Sequence, residues 1–384
     1  FRAETPGSTA AVTVSNGARI TAAESFSAGS SYVALVAPRI VQSGRVSVDG
    51  SAAYVAAESA DIRINAGLFD INVLTGAADG QAITHTGTTT GPEQSATGPA
   101  QRIYMVAVAK NDAVSMLVSG QVGFQDAATT ARTDSDGRII LSAGYNVVGG
   151  AIGTTPVGAA ADITVNDIIF RSDVTAHASG AFLGRPLLDI PPPPPPTSVQ
   201  PPNPAGTLVV QGNALFIGDT SATLTIDAGR IGNIGGDLTV QAGGTATTPA
   251  AAAVNVNGGG LLVQGRTSIF APGFFDTATG DTQGGNASLS ISGGGQFAGT
   301  VVIEVSADAF GGVDGTGLAN GDGRGGTATI TVSGASATGT ASRLSGDNIY
   351  AHANGYGAFP SSGFDNAATG GAGFGGTATI RIQN

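Results

Sequence analysis

The chain has no cysteine and no tryptophan among its 384 residues. Disulfide staples and thiolate-held metals are therefore excluded. Lys110 is its single lysine, and charged residues make up 11% of the sequence, against roughly 25% in ordinary soluble proteins. The few charges lean one way: 16 Lys and Arg face 27 Asp and Glu, a formal net charge of −11. An acidic surface argues against a nucleic-acid partner and against anionic lipid. Mean hydropathy is +0.18, yet no uninterrupted apolar run reaches the ~18 residues that a membrane-spanning helix needs. The chain opens on Phe1 without a charged-then-apolar leader and ends within "GGTATIRIQN". This reads as a segment of a larger or processed chain.

Small and β-branched residues dominate instead. Glycine supplies 61 residues, about twice its usual share, and Ala, Thr, Ser and Val fill much of the rest. Such a composition suits stacked strands and tight corners. Tyr32-Val33-Ala34 returns, letter for letter, as Tyr54-Val55-Ala56. Between them, short alternating or apolar runs break at Ser43-Gly44 and Asp49-Gly50, and the pattern breaks again at Asn65-Ala66-Gly67. A recurrence at about 22 residues is the mark of a repeat architecture, one coil per repeat. Short strands, sharp corners and this interval predict an all-β, right-handed parallel β-helix, with like residues stacked about 4.8 Å apart. At about 22 residues per coil the chain makes about 17 coils.

Three regions follow. Residues 1–189 read as the first β-helical segment, with 76–101 as an exposed excursion lacking strand pattern. Residues 190–205 contain Pro191, Pro192, Pro193, Pro194, Pro195 and Pro196, a polyproline linker whose members lack the N–H that a ladder needs. A docking peptide or a strap along the molecule is the alternative. Residues 206–384 form Gly-rich repeats. "GGDLTV", "GGNASLSI", "GGTATITV" and "GGTATIRI" begin at Gly235, Gly284, Gly325 and Gly375. Their period, about 41–50 residues, reads as two coils each. In "TATITV" the Ala, Ile and Val share one face, so that face is buried.

The stretch "GSSYVALVAPRIVQSGRVSVDGSAAYVAAE" resembles the β-helical region of filamentous-haemagglutinin-like exoproteins, the large adhesins of two-partner secretion. The matching positions are Gly29, Val33 to Pro38, Ile40, Ser43-Gly44, Val46, Val48, Gly50 and Val55 to Ala57. Gln42 and Glu58 depart from the family pattern, where Asn and Gly are usual, and its Asn-Pro-Asn motifs are absent. The resemblance covers about residues 15–75 closely, extends to about 185, and is looser beyond 205. It implies an extracellular protein of the bacterial surface and, through the family alone, an outer-membrane export partner.

Chemistry is sparse. No metalloprotease, nucleophile-elbow or phosphate-binding motif occurs. Glu304 with Asp308, and Asp276 with Asp281, read as solvated edge charges, and His85, His177 and His352 lie in unrelated contexts. No enzyme is expected. Asp314, Asn320, Asp322 and Asp365 offer hard oxygen ligands in Gly-rich turns, as calcium prefers, although Asp and Asn also serve turns for their own hydrogen bonds. Phe274, Phe275, Phe310, Tyr356, Phe359 and Phe364 sit in or beside recurrent loops. They either pack beneath those loops or form interaction surfaces. The expected function is a structural or adhesive fibre, a homo-polymer joined head-to-tail or laterally, with a host-cell or surface-polysaccharide receptor. A carbohydrate-binding or carbohydrate-cleaving β-helix is the alternative.

Overall fold

The computed structural model describes residues 1–22, 31–65, 67–78, 80–92, 101–124, 138–187, 206–244, 248–312, 321–358 and 372–383. Among these residues there is no helix, and the strands pair mostly in parallel. No helix is therefore long and apolar enough to cross a membrane. The chain forms two compact units. The first comprises Phe1–Ala214 with Arg230–Gly236, and the second Leu215–Gly229 with Asp237–Asn384. The first unit thus runs past the 190–205 segment; the linker prolines Pro191 to Pro196 lie outside the described residues.

Three parallel stacks build the first unit. In one, Val12 pairs with Ile40, Ile40 with Ile83, Ile83 with Met116, Met116 with Ile163 and Ile163 with Phe182. A second joins Arg19–Ala22, Arg45–Val48 and Thr88–Thr90, then the ends of Val114–Val122 and Ala161–Phe170, then Thr207–Val210 and Ile231–Ile234. The third joins Ser31–Ala37, the first half of Gly50–Asn65, Arg102–Ala107, Arg138–Ala143 and Val174–Ala178. Alternation makes the core: Val114, Met116, Val118 and Val122 are buried, and the residues beside them in the strand are half-exposed.

The pairing corrects the expected regular period. Successive steps along the first ladder are unequal: Met116 to Ile163 is the longest and Ile163 to Phe182 the shortest. Loop length is elastic because closing a longer loop costs little more, whereas the apolar ladder is not. Tyr32 pairs with Ser51, and Tyr54 pairs with Leu35. The repeated letters are three positions out of register, and an odd offset puts them on opposite faces. Tyr54 meets His85 edge-on at 6.0 Å in the main core. Tyr32 meets Phe69 at 5.8 Å in a second core on the other side of the sheet.

That second core has no counterpart in the repeat pattern. Gly50–Asn65 leaves its parallel stack and turns back through Gly67 (φ 89°) into Leu68–Gly76, antiparallel. Arg2–Glu4 and the hairpin of Tyr145–Val148 with Ala151–Pro156 extend this antiparallel sheet. Ile62, Ile71, Val73 and Val147 from it cover Val55, Tyr104, Val106 and Ile140. Strands buried on both faces read as continuous apolar runs, which explains "SAAYVAA" and "RIYMVAVA". Glu58, the departure from the family pattern, lies in this strand and is buried. It accepts hydrogen bonds from the Gly7 N–H at 2.7 Å and from Lys110 at 2.9 and 3.0 Å. The Gly7 bond first, then Lys110, holds its pKa below the ordinary glutamate value.

The excursion at 76–101 is also corrected. Gly80–His85 and Thr88–Thr90 are strands within the stacks, and Ile83, His85 and Thr88 to Thr90 are buried. Residues 93–100 lie outside the described set.

In the second unit, Ser221–Asp227, Ala251–Asn257, Asn286–Ser292, Thr327–Ser333 and Thr377–Gln383 stack in parallel and in register. Ala328, Ile330 and Val332 share the buried face, as the alternation predicts. Each step is one rung, not two: Asn286 pairs with Thr327 and Thr327 with Thr377. "GGDLTV" belongs to a different stack, in which Leu238–Ala242 is followed by Thr267–Phe270, Val302–Ser306 and Asn348–His352. A third stack joins Gly260–Val263, Gln296–Gly299 and Arg343–Ser345.

Candidate functional site

The densest chemistry lies in the second unit, where Val302–Ser306 and Asn348–His352 are adjacent rungs. Ile303 and Val305 point into the core, so Glu304 and Ser306 point outward. Register places Tyr350 beside Glu304 and His352 beside Ser306. His352 Nε2 lies 2.9 Å from Glu304 Oε1, and Nδ1 lies 2.8 Å from Asp308 Oδ2. The Arg266 guanidinium donates to Glu304 Oε2. Asp308 is also tied to the succeeding rung, because Oδ1 accepts from the Asn354 N–H at 2.6 Å. Asp308 is 7% exposed. Glu304 and Asp308 are therefore not solvated edge charges but members of an ordered cluster.

The geometry favours the protonated form of His352. Both ring nitrogens face carboxylate oxygens, an arrangement that favours the imidazole protonated on both nitrogens. Desolvation lowers the pKa of His352, but the hydrogen bond to Glu304, with the charge and hydrogen bond of Asp308, outweighs it and leaves a net rise. Glu304 shows the mirror balance: desolvation raises its pKa, while Arg266 and His352 pull it lower overall. A raised histidine pKa contributes stability that is present below the unfolded value of about 6.5 and lost as pH rises through the folded value. The second unit is therefore expected to weaken on the alkaline side. His352→Gln should flatten that limb of a urea-unfolding pH series; an unchanged limb would refute the assignment.

The cluster borders a groove of about 410 Å³ whose other lining residues include Thr239, Ser268, Phe270, Ser306 and Phe310. Phe310 stacks on Tyr356 of the next rung at 4.7 Å and 8°, through a short parallel pairing of Ala309–Phe310 with Gly355–Tyr356. Phe310 and Tyr356 are 58% and 43% exposed. Phe274 and Phe275 sit apart, in a small sheet that continues through Thr282–Gln283, Gly323–Arg324 and Gly373–Phe374. There Arg324 lies over the Phe374 ring at 4.2 Å. The loop aromatics are thus split between two miniature ladders. Phe359 and Phe364 lie outside the described residues.

The acidic turn residues serve the backbone of the next rung. Asp281 Oδ1 accepts from the Asp322 N–H, and Asp322 Oδ1 accepts from the Ala372 N–H, both at 2.7 Å. Arg324 occupies Asp322 Oδ2 at 3.1 Å. Of the four residues considered for calcium, Asp322 is thereby engaged, and Asp314, Asn320 and Asp365 lie outside the described residues. Among the described residues no group of three or more His, Asp or Glu side chains is arranged to hold a metal ion. Glu304 and Asp308 fit that finding, because the imidazole stands between them.

Sequence reasoning placed Glu304 near Asp308 but set His352 in an unrelated context and did not name Arg266; the structure brings all four together. A signal was present. "VIEVSADAFG" from Val302 and "NIYAHANGYG" from Asn348 match in pattern and pair rung to rung, setting His352 beside Ser306 and Tyr356 beside Phe310. No protein-family model matches the chain, and neither a curated protein nor a solved structure is significantly similar to it.

Proposed function

We propose that the chain is an extracellular structural or adhesive fibre protein of the bacterial surface, built from parallel β-helical segments of the haemagglutinin-like type. The observation that carries this reading is the in-register ladder of the second unit. Leu224, Val254, Leu289, Ile330 and Ile380 follow one another rung by rung, as do Ile226, Val256, Ile291, Val332 and Ile382. Such a core grows along one axis, because each rung offers the next the same hydrogen-bonding edge and the same apolar row. Head-to-tail contact between such ladders does not close, so it extends into a filament.

Asp281, Asp308 and Asp322 each accept a rung-to-rung backbone hydrogen bond, which ties the successive strands of such a fibre together. Cysteine-free, small-residue composition fits a long exported protein. An export partner and a receptor belong to the proposal through the resemblance, and calcium in the Gly-rich turns through the turn chemistry. Purified protein is expected to form fibres of uniform width in negative-stain images, with a fibre-diffraction reflection near about 4.8 Å along the fibre. Discrete particles that release reducing sugar from polysaccharide would overturn the reading.

A further inference from the structure

We propose that Arg19 and Arg45, in the first unit, form a binding site for a doubly charged tetrahedral oxyanion of the sulfate or phosphate type, free or esterified on a glycan. The site goes beyond the fibre reading and does not depend on it.

Register builds the site. Arg19–Ala22 and Arg45–Val48 are adjacent parallel rungs, in which Arg19 pairs with Arg45 and Thr21 with Ser47. Val46 and Val48 are fully buried, so Arg45 and Ser47 face outward, and their partners Arg19 and Thr21 face the same way. Two guanidinium-bearing side chains therefore leave the sheet about 4.8 Å apart, with two hydroxyls roughly 6.6 Å further along the strands. Together with Ile20 these four residues line one pocket of about 460 Å³. A water takes about 30 Å³ of liquid, so the pocket has room for an oxyanion and part of its hydration shell.

The charges in this pocket are uncompensated. Like charges set opposite each other across a ladder are destabilising. Arg2, Lys110, Arg266 and Arg324 each meet a carboxylate, of Asp61, Glu58, Glu304 and Asp322 respectively. Among the described residues no carboxylate meets Arg19 or Arg45, although the chain carries 27 acidic side chains. Two cations held side by side without a counter-charge invite one from outside.

The donor set selects its chemistry. A guanidinium is a planar fork that binds oxyanions through two parallel N–H···O bonds. One divalent tetrahedral anion offers oxygens to both forks and neutralises both charges, and the Thr21 and Ser47 hydroxyls can donate to the oxygens that remain. Chloride has no oxygens and cancels one charge only. The net charge of −11 is spread over the whole chain, and at physiological salt exposed charges farther than about 8 Å are largely screened. The local pair therefore governs the pocket.

Equilibrium dialysis of the whole chain against radiolabelled sulfate, at constant chloride, tests the site. One saturable site is expected, with affinity at least tenfold weaker in Arg19→Gln/Arg45→Gln. Arg45→Lys, which keeps the charge but loses the fork, should fall between. In urea unfolding, added sulfate should raise the wild-type midpoint more than that of the double variant; the general salting effect of sulfate is common to both and cannot produce the difference. Dextran sulfate, with plain dextran as the blank, separates the two sources. Tighter binding per sulfate group than the free ion assigns the site to an esterified glycan, and equal or weaker binding assigns it to the free ion. Absence of saturable uptake of either probe by the wild-type chain would overturn the proposal without recourse to any variant, as would equal uptake by wild type and the double variant. The fibre reading is untouched by these outcomes, because the images and the diffraction decide it on their own.

Discussion

Gly326→Ala is expected to destabilise the second unit by about 3 kcal/mol, the upper end for forcing extra atoms into a packed interior. A Cβ at this position would lie 1.9 Å from the Gly285 carbonyl oxygen and 2.5 Å from the Gly284 carbonyl carbon. Both obstacles are backbone. Neither swings aside, because Gly285 O already accepts the Thr327 N–H at 2.8 Å and Gly326 N–H donates to Ala307 O at 2.8 Å. The contact recurs one rung later, where a Cβ on Gly376 would lie 2.1 Å from Gly326 O. The Gly-Gly pairs before "NASLSI", "TATITV" and "TATIRI" thus mark places where one rung's backbone rests on the next. Gly260→Ala is the control, since a Cβ there meets open space and the change should stay within about 0.5 kcal/mol. Urea-unfolding midpoints separate the two variants. Equal midpoints would show that the rungs shift apart freely and that the stacking is softer than described.

Acid should weaken the first unit well before its carboxylates titrate. His85 is fully buried in the main core. Its Nδ1 lies 2.9 Å from the Ser119 carbonyl oxygen, so that nitrogen carries the proton. Its Nε2 lies 2.9 Å from Thr89 Oγ1, which is 2.6 Å from the Tyr54 hydroxyl. A consistent chain runs from Tyr54 O–H to Thr89 O–H to His85, with the imidazole neutral. None of these partners is charged. Burial, only partly opposed by the backbone hydrogen bonds, pushes the His85 pKa down to about 4. A depressed folded pKa contributes stability above the unfolded value of about 6.5, and that stability is lost as pH falls through the folded value. The loss amounts to roughly 3 kcal/mol by about pH 4. Glu58 and Asp61 also have lowered values, so their losses set in as pH falls through the ordinary carboxylate range, at the acid end of this window. His352 contributes its full stability throughout this window. With no tryptophan present, tyrosine fluorescence reports the transition, and Tyr32, Tyr54, Tyr104 and Tyr145 all lie in the first unit. A flat unfolding free energy between about pH 6.5 and 4.5 would mean that His85 reaches water in the folded state.

The two histidines show where sequence reading stops. Gly80–His85 and Thr88–Thr90 carry polar letters and so read as an exposed excursion, yet Ile83, His85 and all three threonines are buried. His85, Thr89 and Tyr54 bond one another across strands there, and a one-dimensional pattern has no means of recording such pairing. His352 meets Glu304 across 48 residues, a distance set by loop lengths that vary from rung to rung. By contrast, Ala328, Ile330 and Val332 were legible as one buried face because the pleat has a period of two and needs no knowledge of a neighbour. Tyr32 and Tyr54 fall between these cases. Their recurrence pointed to neighbouring strands, which do pair, but a register that sets Tyr54 beside Leu35 turned the two rings to opposite faces.

Local chemistry in the sequence alone determined that the chain is strand-forming, cysteine-free and acidic, and which residues of the most regular strands turn inward. Each of those properties follows from a residue and its nearest neighbours. Only the tertiary structure decided which rung follows which, that an antiparallel sheet seals one stack, and that Arg266, Glu304, Asp308 and His352 meet. Backbone ladders tolerate loops of any length between them, so letters dozens of positions apart become neighbours by a register that the intervening residues do not encode.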